Sequence, residues 1–238
     1  MQATCDTYNV RIAEINFYYD ALVQLNDGLT NHFGCSVEPI EKYRQDSFQK
    51  ILKANALLMI YNLVESTVLN GIEEIYDKLK TKGATYSTVR KEIQNIWFSH
   101  KFRQVYDQKA HYGSYKEKAL EIVNSIMIGE IIELDRKALH IDGNLDADEI
   151  RKVCSGHGIG FKPDRFCKGG ERLNDVKTKR NLLAHGTISF SECGREYSLD
   201  DLIEIKQQAF GFLASLLDGM RKYYDSESYL NVSAAAQS

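Results

Sequence analysis

Proline occurs only twice in these 238 residues, at Pro39 and Pro163. Proline breaks a helix by removing a backbone donor and clashing with the preceding turn. The long stretch between the two is therefore free to run as helix. Apolar residues recur there at a helical period rather than in the alternation of strands, so an all-α fold, a helical bundle, is the first expectation.

Residues 4–27 carry Val10, Ile12, Ile15, Phe17, Leu22 and Leu25 at helical spacing, until Gly28 and Gly34 break the run. A longer run, about 41–82, includes Phe48, Ile51, Leu57, Tyr61, Val64, Val68, Ile72 and Ile75, and Gly83 stops it. The third spans roughly 88–108 around Ile93, Ile96 and Trp97, and the fourth about 115–139. Asp142-Gly143-Asn144 is then a turn. Asp146 and Glu149 have the spacing of a capping box for a short helix ending near Gly156. The glycines and proline of 157–170 predict a loop, and 171–185 a helix. In "TISFSECGREYSL" β-formers alternate around Cys193-Gly194, which predicts a small β-hairpin insertion after that helix. Ser198 opens the last helix, 199–223. No repeat or long linker divides the chain. The expected organisation is a single domain over 1–223, with long helices to 140, a distinct part over 141–223, and a loose tail at 224–238.

The net charge of −3 excludes a uniformly basic nucleic-acid coat but leaves room for a local basic cleft. No apolar block opens the chain and no 18-residue apolar run occurs, so neither a signal peptide nor a membrane span is expected. The five cysteines, odd in number and scattered, fit a reducing cytoplasm.

The stretch that asks for chemistry is "KRNLLAHG", residues 179–186. On a helical wheel Leu173, Val176, Leu183 and Ala184 form one stripe with Arg180 in its middle, while Lys179 falls on the solvated face. A guanidinium on a packing face is costly without an acid, a phosphate or a wet cleft. His185 stands at the helix C-terminus, flanking Asn181. A histidine able to exchange a proton near neutrality, beside a fixed cation, suits work on a phosphodiester. Residues five apart point about 140° from each other. One helix therefore does not aim both groups at one spot, but two copies facing across a twofold axis can enclose a shared site.

Spacing alone is a weak signal, because Arg151 and His157 nearly repeat it. Cys154-x-x-His157 with Cys167 and Cys193 offers a structural zinc site, though the spacing is irregular, and isolated cysteines are the preferred reading. Aromatic and basic residues interleave between His100 and His111, as a base-stacking surface would, but a helix ending in a polar loop explains them as well. Trp97 and Phe98 read as core, and Glu73, Glu74 and Asp77 as an exposed acidic face.

The fuller pattern is more specific. "VKTKRNLLAHG", with Arg180-Asn181-x-x-x-His185, resembles the signature of the HEPN superfamily. "YNLVESTVLNGIEEIYDKL", "GNLDADEIRKV" and "ISFSECGREYSLDDL" are similar to the MAE_28990/MAE_18760-like HEPN family, over roughly 8–222. The resemblance implies a helical bundle that dimerises, and a metal-independent endoribonuclease of toxin–antitoxin or anti-phage defence systems, with no cofactor. It implies Arg180 and His185 as the catalytic pair, Asn181 as the supporting polar group, and Glu65 as the acid orienting Arg180. RNA, a second copy of the chain and an antitoxin or defence-system protein are the implied partners. Lys168, Arg172, Lys177 and Lys179 would then line the strand path, with a solvated helix face as the alternative. Thr187 stands where some HEPN toxins carry a tyrosine modified by a partner enzyme, so that form of control is not implied. A silent HEPN module binding RNA, nucleotide or protein is the alternative.

Overall fold

In the computed structural model, which describes residues 1–26, 42–103, 112–139, 141 and 143–231, eight α-helices are assigned among those residues. They are α1 (Gln2–Asn26), α2 (Lys42–Thr81), α3 (Lys91–Arg103), α4 (Tyr112–Met127), α5 (Ala147–His157), α6 (Glu171–Ala184), α7 (Phe190–Arg195) and α8 (Leu199–Asp225). None of the described helices is long and apolar enough to cross a membrane.

The core is organised around α2. Leu57, Ile60, Tyr61, Val64, Val68, Ile72, Ile75 and Leu79 are all buried, more than one stripe of the helix, because α1, α6, α7 and α8 pack on it from several sides. Burying each such aliphatic side chain is worth about 1.5–3 kcal/mol relative to leaving it exposed. α8 presents the complementary surface: Leu202, Ile205, Ala209, Phe212, Leu213, Leu216 and Met220 recur at three- and four-residue steps and are buried.

The expected hairpin at 187–199 is not formed, and no strand occurs among the described residues. The segment is helix α7. Ser189 and Glu192 exchange side-chain bonds with each other's backbone N–H in a full capping box, which starts a helix. Gly194 packs so close to α2 that a Cβ there would sit 1.8 Å from the Lys50 carbonyl oxygen. The glycine thus serves helix packing, not a hairpin turn.

The fourth helix ends at Met127, twelve residues before the expected 139. Gly129, left-handed at φ 67°, stops it. The chain then pairs Ile131 with Thr85 in an isolated bridge and makes a 3₁₀ turn over Arg136–Leu139. Residues 104–111, with His111, lie outside the described residues, as do Gly28, Gly34 and Pro39. Another 3₁₀ segment, Arg165–Gly170, occupies part of the expected loop 157–170. Packing continues past residue 223. Tyr229 is fully buried, its carbonyl accepts from the Arg90 N–H at 2.9 Å, and Leu230 bridges Val89. Ordered packing therefore continues into the segment expected to be a tail, as far as the described residues reach, and residues 232–238 lie outside them.

Candidate functional site

Three pieces of chain meet at Arg180: the middle of α2, the turn at 143–145, and the last turns of α6. Leu173, Val176 and Leu183 anchor α6 to the core. Arg180 is half-buried beside them, whereas Ala184, expected on the same stripe, is exposed. The Arg180 Nη1 donates to the Gly143 carbonyl at 3.1 Å and to Asn181 Oδ1 at 2.9 Å. Its guanidinium carbon lies 4.6 Å from the centre of the Tyr61 ring, a cation–π distance. The Tyr61 hydroxyl donates to that same Gly143 carbonyl and accepts the Leu145 N–H at 3.4 Å. Asn181 Nδ2 reaches Asn144 Oδ1 at 2.7 Å, tying α6 to the turn a second time.

Gly143 is required twice over. Its φ of 68° is left-handed, and a Cβ there would lie 3.2 Å and 3.3 Å from the two terminal guanidinium nitrogens. Burial is the main influence raising the Tyr61 pKa, with a contribution from Glu65, against the opposing pull of the Leu145 N–H and Arg180. The phenol is therefore neutral and able to donate.

The ion pair expected between Glu65 and Arg180 is not formed, and no carboxylate pairs with Arg180 among the described residues. Glu65 stands one turn beyond Tyr61 on α2 and acts on the phenol instead. The Tyr61 ring lies against the guanidinium, and the Gly143 carbonyl serves as acceptor in place of a carboxylate.

His185 caps α6, its N–H bonded to the Asn181 carbonyl at 3.0 Å, and Gly186 (φ 66°) turns the chain away. The imidazole is exposed and makes no hydrogen bond among the described residues. One chain thus brings Arg180 and Asn181 together and leaves His185 facing solvent beyond them.

The expected basic strand path is not a row of free charges. Lys168 pairs with Glu204 at 3.0 Å, Arg172 with Asp175 at 3.2 Å, Lys177 with Asp146 at 2.6 Å, and Lys179 with Glu196. Lys179, expected on a solvated face, is largely covered. Asp146 also caps α5, accepting from the N–H groups of Asp148 and Glu149, while the Glu149 carboxylate turns to Lys152 at 3.1 Å rather than closing a box. Burial works to raise the Asp146 pKa, but Lys177 and the cap N–H groups hold it below the usual carboxylate value.

Arg151 and His157 have a different setting. Arg151 pairs with Asp148 at 3.0 Å and donates to the Gly169 carbonyl. His157 is only 4% exposed. Its Nδ1–H donates to the Val153 carbonyl at 2.6 Å and its Nε2 accepts from the Tyr76 hydroxyl at 2.7 Å. Burial lowers its pKa, opposed by the bond to Val153. Cys154, His157, Cys167 and Cys193 form no metal-ligand group among the described residues; the three cysteines are separately buried thiols. Trp97 is core, but Phe98, also expected in the core, is 43% exposed and stacks on Phe102. Glu73 and Glu74 are half-covered, bound by Arg136 and Thr4 respectively. His100 lines a separate cleft of about 370 Å³ with Asp77, Lys80, Glu133 and Asp135, away from α6.

Tyr61, Gly143 and Asn144 are the site residues that sequence reasoning missed. Gly143 and Asn144 were visible as a turn and Tyr61 as a core position. No local pattern says that turn and ring share one guanidinium.

The chain matches a family model described as HEPN_MAE_28990/-like HEPN over residues 3–229. No curated protein matches it, and no solved structure does.

Proposed function

Because the chain belongs to the HEPN_MAE_28990/-like HEPN family, we propose that it is a metal-independent endoribonuclease whose active site forms between two copies of α6. One observation carries the reading. α6 bears four cations, Arg172, Lys177, Lys179 and Arg180, and among the described residues Arg180 is the one of them without a carboxylate partner. A half-buried guanidinium held only by neutral groups keeps its full charge for an incoming anion, and its planar fork matches phosphate oxygens.

His185 supplies the proton chemistry. The 2′-OH of the substrate attacks the adjacent phosphorus. The O2′–P bond forms, the P–O5′ bond breaks, and the products are a 2′,3′-cyclic phosphate and a 5′-OH. One imidazole takes the 2′-OH proton while the second copy's protonated imidazole gives a proton to the leaving O5′. Arg180 stabilises the charge on the pentacovalent phosphorane. Asn181 holds Arg180 to the 143–145 turn. Dependence on the 2′-OH makes DNA a poor substrate. The pairing of Lys168, Arg172, Lys177 and Lys179 with acids leaves them no leading part in holding the strand. A role as toxin or anti-phage effector, with a restraining partner protein, follows from the family resemblance.

The second reading is a silent module that binds RNA, nucleotide or protein. The separation of His185 from Arg180 within one chain favours it. Incubating wild type and His185→Ala with total RNA in EDTA separates the two. Cleavage by wild type alone, leaving cyclic-phosphate ends, supports the enzyme. RNA binding without cleavage by either overturns it in favour of the module.

A further inference from the structure

We propose that Tyr61 is a positioning residue for Arg180. Its ring carries the guanidinium, and its hydroxyl fixes the carbonyl that holds Nη1, so that the Nε/Nη2 edge is presented to a phosphate. The proposal rests on the ribonuclease reading above and adds to it how the cation is aimed.

The geometry has three parts. The centre of the Tyr61 ring lies 4.6 Å from the guanidinium carbon, so the ring backs the group on one side. The Gly143 carbonyl accepts from both Tyr61 and Arg180 Nη1, so the phenol and the guanidinium are locked to one oxygen. The Leu145 N–H to the Tyr61 hydroxyl, and Asn181 to Asn144, hold the turn itself in place. Among the described residues these bonds use Nη1 alone; Nε and Nη2 make none. That free edge carries two roughly parallel N–H groups, the arrangement that binds two oxygens of a phosphate.

Among the described residues the seat is neutral, and that is the argument for a functional rather than a merely structural tyrosine. Where this chain needs to hold a cation on α6 for structure, it uses acids: Asp175, Asp146 and Glu196. An acid under Arg180 would orient it equally well but would cancel the charge that a phosphate needs. A ring face and a carbonyl orient the guanidinium and leave that charge in place.

The test uses the full chain as wild type, Tyr61→Phe and Tyr61→Leu, with two readouts. The first is NMR of ¹⁵N-labelled arginine side chains, with Arg180→Lys identifying the Arg180 signal. Wild type is expected to show restricted rotation of the Arg180 guanidinium, Tyr61→Leu free rotation, and Tyr61→Phe most of the restriction. The second is cleavage of a single-stranded RNA oligonucleotide. Tyr61→Leu is expected to lower kcat roughly 10- to 100-fold with KM changed less than about threefold, and Tyr61→Phe to recover most of that loss. An unchanged Arg180 signal in Tyr61→Leu overturns the proposal, and so does an unchanged kcat where wild type cleaves. If wild type does not cleave RNA, the ribonuclease reading fails on its own and the NMR comparison alone decides whether Tyr61 seats Arg180. Should Tyr61→Leu fail to fold, Gly143→Ala serves instead. It places a methyl 3.2 Å from Nη2, so the guanidinium must give by a few tenths of an ångström; faster Arg180 rotation than in wild type is expected, and an unchanged signal overturns the proposal.

Discussion

Arg151 and His157 end α5 much as Arg180 and His185 end α6. Each histidine stands at its helix terminus, and each is followed by a left-handed glycine, Gly158 at φ 75° and Gly186 at φ 66°. Their surroundings are opposite. Tyr76 from α2 bonds the His157 ring at Nε2, the Val153 carbonyl takes its Nδ1–H, and Tyr223 from α8 donates to the His157 backbone carbonyl at 2.7 Å, so both ring nitrogens are used inside the fold. Arg151 is compensated by Asp148. Nothing roofs His185 among the described residues, and Arg180 has a neutral seat. Nearly equal spacing thus serves two ends: in one pair the histidine is enclosed and the arginine paired at the surface, and the other keeps a proton site and a charge unspent.

Activity should divide the pairs most sharply. His185→Ala and Arg180→Ala are each expected to lower RNA cleavage roughly a thousand-fold, the scale of losing a general acid–base or an oxyanion donor. His185→Ala should leave the thermal midpoint almost unchanged, because the imidazole is exposed and unbonded among the described residues. Arg151→Ala should stay within about twofold of wild-type kcat/KM. A comparable loss in Arg151→Ala would break the distinction drawn here.

Stability should divide them in the other direction. His157→Ala removes a buried ring and leaves the Tyr76 hydroxyl without its acceptor. Cavity and lost bond together are expected to cost about 3 kcal/mol in urea denaturation, with cleavage per folded molecule unchanged. A loss under about 1 kcal/mol would mean that the enclosure of His157 is not what separates the pairs.

What could be read from the chain follows the range of the forces involved. Long helices were legible because periodicity is local: 41–82 became Lys42–Thr81 and 171–185 became Glu171–Ala184 with His185 as its cap. Residues 190–195 form a helix and not a hairpin because the Ser189/Glu192 box, a signal present in the sequence, prevails over the alternation of β-formers. Arg180 was legible as a cation in need of a partner, but the partner was not. Tyr61 and Gly143 lie more than 80 residues apart and bond to each other only in the fold. Surface and core also blur at single positions. Phe17, on an expected apolar face, is 67% exposed, whereas Tyr8 and Tyr19 on the same helix are buried.

A pH dependence sharpens the contrast further. Burial, opposed by the bond to Val153, lowers the His157 pKa below the ordinary 6.5, so the folded state holds the ring neutral. As pH falls below about 6.5 the unfolded chain takes up a proton that the folded chain refuses, and stability drops. The slope from this one group approaches about 1.4 kcal/mol per pH unit between the two values. His157→Gln should flatten that part of the stability–pH curve, measured by urea denaturation between pH 7 and 5. An equally steep curve in the variant would assign the slope to other groups.

The smallest expected effect concerns the lysines beside Arg180. Lys179 and Glu196 form a partly covered pair on the flank of α6 and α7. Such pairs couple by no more than about 1 kcal/mol. For Lys179 to bind a phosphate it must leave Glu196 or carry the acid's charge with it, and either way its gain from the anion is largely cancelled. A true phosphate contact on single-stranded RNA steepens the dependence of log K on log salt by about 0.7. Arg180→Ala should therefore flatten that slope by about this amount, while Lys179→Ala and Lys177→Ala change it by much less. Glu196→Ala is the complementary exchange: freeing Lys179 should raise RNA affinity at low salt and steepen the slope. If instead Lys179→Ala flattens the slope as much as Arg180→Ala does, the acids do not neutralise the path, and the neutral seat of Arg180 loses its special standing among the cations of α6.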